Sequence, residues 1–192
     1  MLLYLKKIIW ELTGKRNNMI IWITGLSGVG KSTIAKGIFK KYKSKIKHLV
    51  CVDGDIIREL YGKDLGYDER SRIKQIKRIQ NLCLFLERQE LIVLVSALFS
   101  NSKLMYWNRK NFKKYYEIYL QASVELLQKR DPKGLYKKFK SGKEKNIVGL
   151  DIKWNEPEAY DLLINMDKEN TIENSVKKVL NNLSNFSNEF KV

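Results

Sequence analysis

The stretch "GLSGVGKST", Gly25 to Thr33, follows directly on the apolar run "MIIWIT" and leads into a segment of helical character. It fits the pattern G-x-x-x-x-G-K-[ST] in the strand, loop and helix order that the pattern requires. Glycines at these positions let backbone N–H groups close around phosphates, the helix N-terminus adds a partial positive charge, and the lysine reaches the terminal phosphates. Gly25, Leu26, Ser27, Gly28, Val29, Gly30, Lys31, Ser32 and Thr33 are therefore expected to bind ATP, with Lys31 on the reacting phosphates and the Ser32 hydroxyl on Mg²⁺.

After this loop the chain keeps alternating strand and helix. "HLVCV", "LIVLVS", "YEIYL" and "DLLINM" read as further strands. A long helix is predicted from about Glu69, where Ile73, Ile76, Ile79, Cys83 and Leu86 recur every three or four residues, and "TIENSVKKVLNNL" reads as a closing amphipathic helix. Such alternation predicts an α/β fold of the P-loop NTPase type. This is a three-layer sandwich with a mainly parallel five-stranded sheet, helices on both faces and ligands at the carboxyl ends of the strands. With 192 residues, 44% of them hydrophobic, a single domain over residues 19–192 is expected. Residues 1–18 place Leu2, Leu5, Ile9 and Leu12 at helical spacing. They read as a helical extension that packs on the domain or matters little, in preference to a membrane-surface segment. The glycine- and lysine-rich "DPKGLYKKFKSGKEKNIVGLD" lacks a core pattern, so residues 131–150 are expected to form a mobile lid.

The formal charge of +16, from 37 basic against 21 acidic residues, favours a polyanionic partner. Neither interleaved exposed aromatics nor a recognisable binding motif accompanies the lysines, so nucleic acid is disfavoured and most lysines read as solvated helix faces. No apolar run is long enough to span a membrane, and no cleavage signal follows the apolar start, which predicts a cytoplasmic protein. Cys51 and Cys83 lack metal-ligand spacing and read as buried free thiols; the single histidine, His48, is assigned no role.

"LIVLVS" ends in Ser96, not in an acid, so a Walker B aspartate is absent there, and the end of the neighbouring strand is where a metal or acceptor carboxylate could sit. "VDGDIIR", behind the second strand, supplies Asp53 and Asp55. A metal site, a catalytic base and a helix cap all fit two acids at this spacing. Their place beside a phosphate loop without its own acid makes a cap too weak a reading for the pair.

Taken in order from Ile20 to Gly149, "GLSGVGKST", "VDGDIIR", "DLGYDERSRIKQIKRI", "LIVLVS" and "RDPKGLYKK" resemble adenylylsulfate kinase. The resemblance implies an enzyme that transfers the ATP γ-phosphoryl to the 3′-hydroxyl of a nucleotide whose 5′-phosphate carries a second anionic group, sulfate in the standard substrate. It also implies that Asp55 faces the acceptor hydroxyl as base and that Asp53 stands near Mg²⁺. Arg58 and Arg72 would hold the acceptor's 5′ anion, and Lys133 would belong to the acceptor site and lid. The family often dimerises, so a homodimer is expected by analogy alone.

Departures from the family cluster on the acceptor side. Tyr67 replaces the phenylalanine of "DLGF", Ile147 replaces the second aromatic wall, Gln75 stands for an asparagine, and "ALFSNSK" places Phe99 where the family has a serine. A base stacked on an aromatic ring gains ~1 to 3 kcal/mol, so losing one wall matters. One branch resembling this pattern is attached to capsular polysaccharide pathways, with cytidine 5′-diphosphoramidate as the acceptor. That acceptor is favoured here, with adenylylsulfate and sulfate assimilation as the alternative.

Overall fold

A computed structural model describes residues 18–98, 101–169 and 171–191. Strand β1 (Met19–Thr24) is the centre of a five-stranded sheet, and all six of its residues are buried. The other strands are β2 (Leu49–Asp53), β3 (Ile92–Ser96), β4 (Tyr115–Gln121) and β5 (Leu162–Asn165). They lie in the order β2-β3-β1-β4-β5, and every pairing is parallel. The order reverses direction at β1, so the crevice at its carboxyl end is where a ligand is expected to sit.

The helices are α1 (Lys31–Tyr42), α2 (Gly54–Leu60), α3 (Glu69–Arg88), α4 (Ser102–Asn111), α5 (Val124–Arg130), α6 (Leu135–Lys140) and α7 (Ile172–Phe186). Alternation along β4 shows that both faces are covered: Tyr115 bonds Asn108 of α4, while the next residue, Tyr116, packs its ring on Phe186 of α7. Helix α3 follows its predicted period, with Ile76, Ile79 and Cys83 buried, and Asp68 caps it by accepting from Ser71 N at 3.0 Å. Thr171 caps α7 in the same way.

One sequence expectation needs correction, and two segments hold more than their pattern showed. Cys51 is exposed, because β2 is an edge strand and one side of it has no neighbour among the described residues; only Cys83 is buried. The segment 131–150 does hold core anchors: Tyr136, Ile147 and Val148 are all buried, two of them separated from the first by ten mostly polar residues that break any periodic signal. Helix α4 carried no prediction, since its buried face consists of Leu104, Met105 and the polar Asn108. The N-terminal extension, apart from Asn18, and Phe99 lie outside the described residues.

Asn108 is buried because it belongs to a chain of hydrogen bonds under α4. Gln80 Nε2 donates to Asn108 Oδ1 at 2.7 Å, Asn108 Nδ2 to Tyr115 Oη at 3.1 Å, and the Tyr115 hydroxyl to Glu117 Oε2 at 3.0 Å. Burial pushes the Glu117 carboxyl up to about 7, against the pull of Tyr115 and Arg109. The folded protein thus holds this proton well above 4.5, where the unfolded chain releases it, so stability falls as pH rises through that window. The loss is up to about 3 kcal/mol. Urea unfolding at pH 5 and pH 8 should show the wild type losing stability relative to Glu117→Gln; parallel behaviour of the two proteins would refute the raised carboxyl.

Candidate active site

The loop after β1 turns through left-handed backbone at Gly28 and Gly30, with φ of +81° and +107°, conformations open to glycine at little cost. Gly25 is required for another reason: a Cβ there would lie 2.4 Å from the Leu120 carbonyl oxygen. Leu26 and Val29 bury their side chains and pin the loop to the core. Lys31 Nζ donates to the carbonyls of Gly25 and Leu26 at 2.9 and 2.8 Å, bracing the loop. Burial pushes its ammonium down to about 7, opposed by Asp55 and Asp53 and assisted by Lys133. Ser27, Gly28, Gly30, Lys31, Ser32 and Thr33 line a cleft of about 300 Å³ that also takes in Asp53, Asp55, Ser96 and Lys133.

Strand register brings Asp53 of β2 beside Ser96 of β3. Oδ2 of Asp53 accepts from Ser32 Oγ at 2.5 Å and from Ser96 Oγ at 2.6 Å, while Oδ1 accepts from Asp55 N at 2.9 Å. Asp53 therefore caps α2 with one oxygen and faces the phosphate loop with the other. Burial alone would raise its carboxyl. The hydrogen bonds from Ser32 and Ser96 and from the backbone of Asp55 and Ile56 outweigh burial and hold it below the ordinary range. A hydroxyl and an ionised carboxylate form a hard oxygen set that suits Mg²⁺, which takes one or two protein ligands and leaves the rest to phosphates and water. Ser96 was noted only as the absence of an acid; the register of β2 and β3 makes it the partner of one.

A second cleft, of about 370 Å³, opens beside the first and is lined by Asp55, Arg58, Tyr67, Arg72, Gln75, Lys133 and Ile147. Asp55 and Lys133 line both clefts, and Lys133 Nζ lies 2.5 Å from Asp55 Oδ2. Both side chains are well exposed, so this ion pair stabilises by no more than about 1 kcal/mol and is easily exchanged for a ligand. Arg58 Nη1 donates to the Leu65 and Gly66 carbonyls at 2.9 and 3.0 Å; Arg72 donates from Nε to Tyr67 O and from Nη2 to Asn146 O, both at 2.7 Å. A guanidinium has five N–H donors, so each arginine fastens a loop and keeps capacity for an anion. Burial and the nearby Arg58 push the Arg72 guanidinium down to about 10.

The remaining acceptor-side residues divide by exposure. The Arg58 guanidinium lies 4.6 Å from the Tyr67 ring centre and that of Arg72 5.6 Å, so cations occupy the ring that a base would stack on. Ile147 is only 2% exposed, and Gln75 spends its amide on the Gly54 carbonyl at 3.1 Å, holding the start of α2. Ile76, Ile79, Ala97, Leu98 and Leu135 supply further apolar lining. Single-sequence periodicity assigns such residues to the core and carries no signal of the cleft. The segment 131–150 meets the phosphate loop directly: the Tyr136 hydroxyl donates to Ser27 O at 3.2 Å, and a Cβ on Gly28 would lie 3.5 Å from Pro132 Cδ.

A parallel sheet reversing at β1, a glycine-rich phosphate loop there and a carboxylate at the border of a second cleft define a P-loop phosphotransferase. The chain belongs to the adenylylsulphate kinase family, whose model matches residues 17–165. It is 39% identical over 170 residues to a cytidine diphosphoramidate kinase of Campylobacter jejuni, covering 88% of this chain and 99% of that one. An adenylyl-sulfate kinase of Halothermothrix orenii is 33% identical over 165 residues, covering 86% and 89%. Among solved structures, the APS kinase of Mycobacterium tuberculosis in complex with AMPPNP and APS superposes with a TM-score of 0.78 at 26% identity, covering 87% of this chain and 98% of that one. No helix among the described residues is long and apolar enough to cross a membrane.

Because Asp53 serves both α2 and the phosphate loop, Asp53→Ala should show two separable losses. Removing the cap costs about 1 kcal/mol of stability. Removing the carboxylate should weaken Mg²⁺-dependent phosphoryl transfer by about 100-fold or more, read as kcat over a Mg²⁺ titration, whereas a loss confined to stability would show that the residue is a cap alone.

Proposed function

We propose that this protein transfers the γ-phosphoryl of ATP to the 3′-hydroxyl of a 5′-modified nucleotide, with cytidine 5′-diphosphoramidate as the acceptor. The observation that carries the reading is the position of Asp55, which lines both the phosphate-loop cleft and the neighbouring cleft with its two arginines. A hydroxyl presented there meets a carboxylate on one side and the end of a bound nucleotide triphosphate on the other. Phosphoryl transfer is mostly positioning and charge stabilisation. Asp55 orients the hydroxyl and takes its proton late, as the new O–P bond forms and the bond from the γ-phosphorus to the β-phosphate oxygen breaks.

Lys31 reaches the β- and γ-phosphates as charge moves onto the leaving oxygen. Ser32 and Asp53 would hold Mg²⁺, which when bound neutralises charge shared between those phosphates. Arg58 and Arg72 carry the cationic charge for the acceptor's 5′ group. A tetrahedral phosphoramidate suits this pair as sulfate does, because each presents oxygens to a guanidinium fork.

The choice of a cytidine acceptor is supported by two facts. The Campylobacter cytidine diphosphoramidate kinase is more similar to this chain than the Halothermothrix adenylyl-sulfate kinase is. Among its described residues the cleft also lacks a pair of open aromatic walls: arginines face Tyr67, and Ile147 is aliphatic and nearly covered. A pyrimidine has less stacking area than adenine and loses less where stacking is poor. Adenylylsulfate is the second reading, favoured by the superposition on an APS kinase bound to APS.

Steady-state kinetics with both nucleotides decides between them. A higher kcat/KM for the cytidine compound is expected, and a preference for adenylylsulfate would overturn the assignment. Asp55→Ala should lower kcat by about 100-fold or more while ATP still binds; an undiminished kcat would remove the base.

A further inference from the structure

The turn that closes the acceptor cleft opposite α2 is held by a carboxylate to which no role is given above. Asp151 Oδ2 accepts from Asn146 N at 2.6 Å and Oδ1 from Ile147 N at 2.5 Å. Asn146 adopts a left-handed backbone, with φ of +64°, a conformation that asparagine tolerates better than most residues. In that conformation its carbonyl accepts from Arg72 Nη2 at 2.7 Å. The turn is closed again on the far side, where Gly149 N donates to Ile152 O at 2.8 Å and Ile152 N to Ile147 O at 3.1 Å. Its other end rests on the phosphate loop: a Cβ on Gly149, whose φ is +93°, would come within 3.0 Å of Leu26 Cδ2.

We propose that Asp151 is a positioning residue for the acceptor: through the Asn146 carbonyl it fixes the guanidinium of Arg72 in the acceptor cleft. The physical argument is that Arg72 reaches the cleft from α3 on a long, flexible side chain, and an arginine serves an anion well only when its fork is already oriented. Two groups orient it, Tyr67 O at Nε and Asn146 O at Nη2. The second is a loop carbonyl, with a direction set by the two amides that Asp151 holds. Two charge-assisted bonds to one carboxylate stiffen the turn. Asp151 also brings negative charge close to two guanidinium groups that repel each other, and so favours the charged form of Arg72. Seated against Leu26, the turn sets the acceptor arginine relative to the loop that carries the phosphates.

This inference depends on the reading of the second cleft as the acceptor site, and the test separates the two. Asp151→Asn keeps the shape but leaves one oxygen where two accepted. It is expected to raise the KM for the acceptor about tenfold, with the KM for ATP changed by less than about twofold. Combined with Arg72→Lys it should add little, because both substitutions remove the same oriented fork. Amide hydrogen exchange at Asn146 and Ile147, read on the protein without nucleotide, should quicken in Asp151→Asn. An unchanged acceptor KM, an equal rise in both KM values, full additivity with Arg72→Lys or unaltered exchange would overturn the inference. If Asp151→Asn does not fold, Asp151→Glu, with the oxygens displaced by one methylene, is put through the same comparison and judged by the same outcomes. Should the wild type phosphorylate neither nucleotide, the proposed function fails, while hydrogen exchange still decides whether Asp151 holds the turn.

Discussion

One carboxylate joins the parts on which the site depends. Asp53 ends β2, and the parallel register sets it beside Ser96 at the end of β3. Its two oxygens then serve three elements: the first turn of α2, the serine of the phosphate loop, and the β3 serine. Because α2 begins at a fixed point relative to α1, Asp55 in its first turn falls at the border of the two clefts. Asp53 and Asp55 are thus positioned by a single cap. The serine that ends β3 keeps the geometry while the charge moves to the next strand.

The acceptor cleft is built differently from the phosphate loop. Buried side chains and glycines that admit no Cβ hold the phosphate loop, and these constraints leave little freedom. The walls of the acceptor cleft are held largely by side chains bonded to loop carbonyls and amides: Arg58 to Leu65 and Gly66, Arg72 to Tyr67 and Asn146, and Gln75 to Gly54. Such bonds orient charged groups firmly but involve few core contacts. A family with this division can keep one donor half and refit the acceptor half by changing a few loop residues. Tyr67, Gln75 and Ile147, three positions where this chain departs from the family pattern, all line the second cleft.

The sequence by itself determined the strands, the phosphate loop and the long helices, because each announces itself within a few consecutive residues. β1 is a continuous apolar run, α3 repeats every three or four residues, and the loop needs its glycines at fixed offsets. Only the tertiary structure decided what depends on strand order and on distant partners. Cys51 is exposed because β2 has no neighbour on one side among the described residues, and α4 escaped detection because its buried Asn108 is satisfied by Gln80 and Tyr115. The anchors Tyr136, Ile147 and Val148 meet the core across gaps too long to form a pattern. Asp53 meets Ser32 and Ser96, and the turn that Asp151 holds meets Arg72, through hydrogen bonds between segments far apart in the chain, and such bonds are set by position in space, which local composition does not encode.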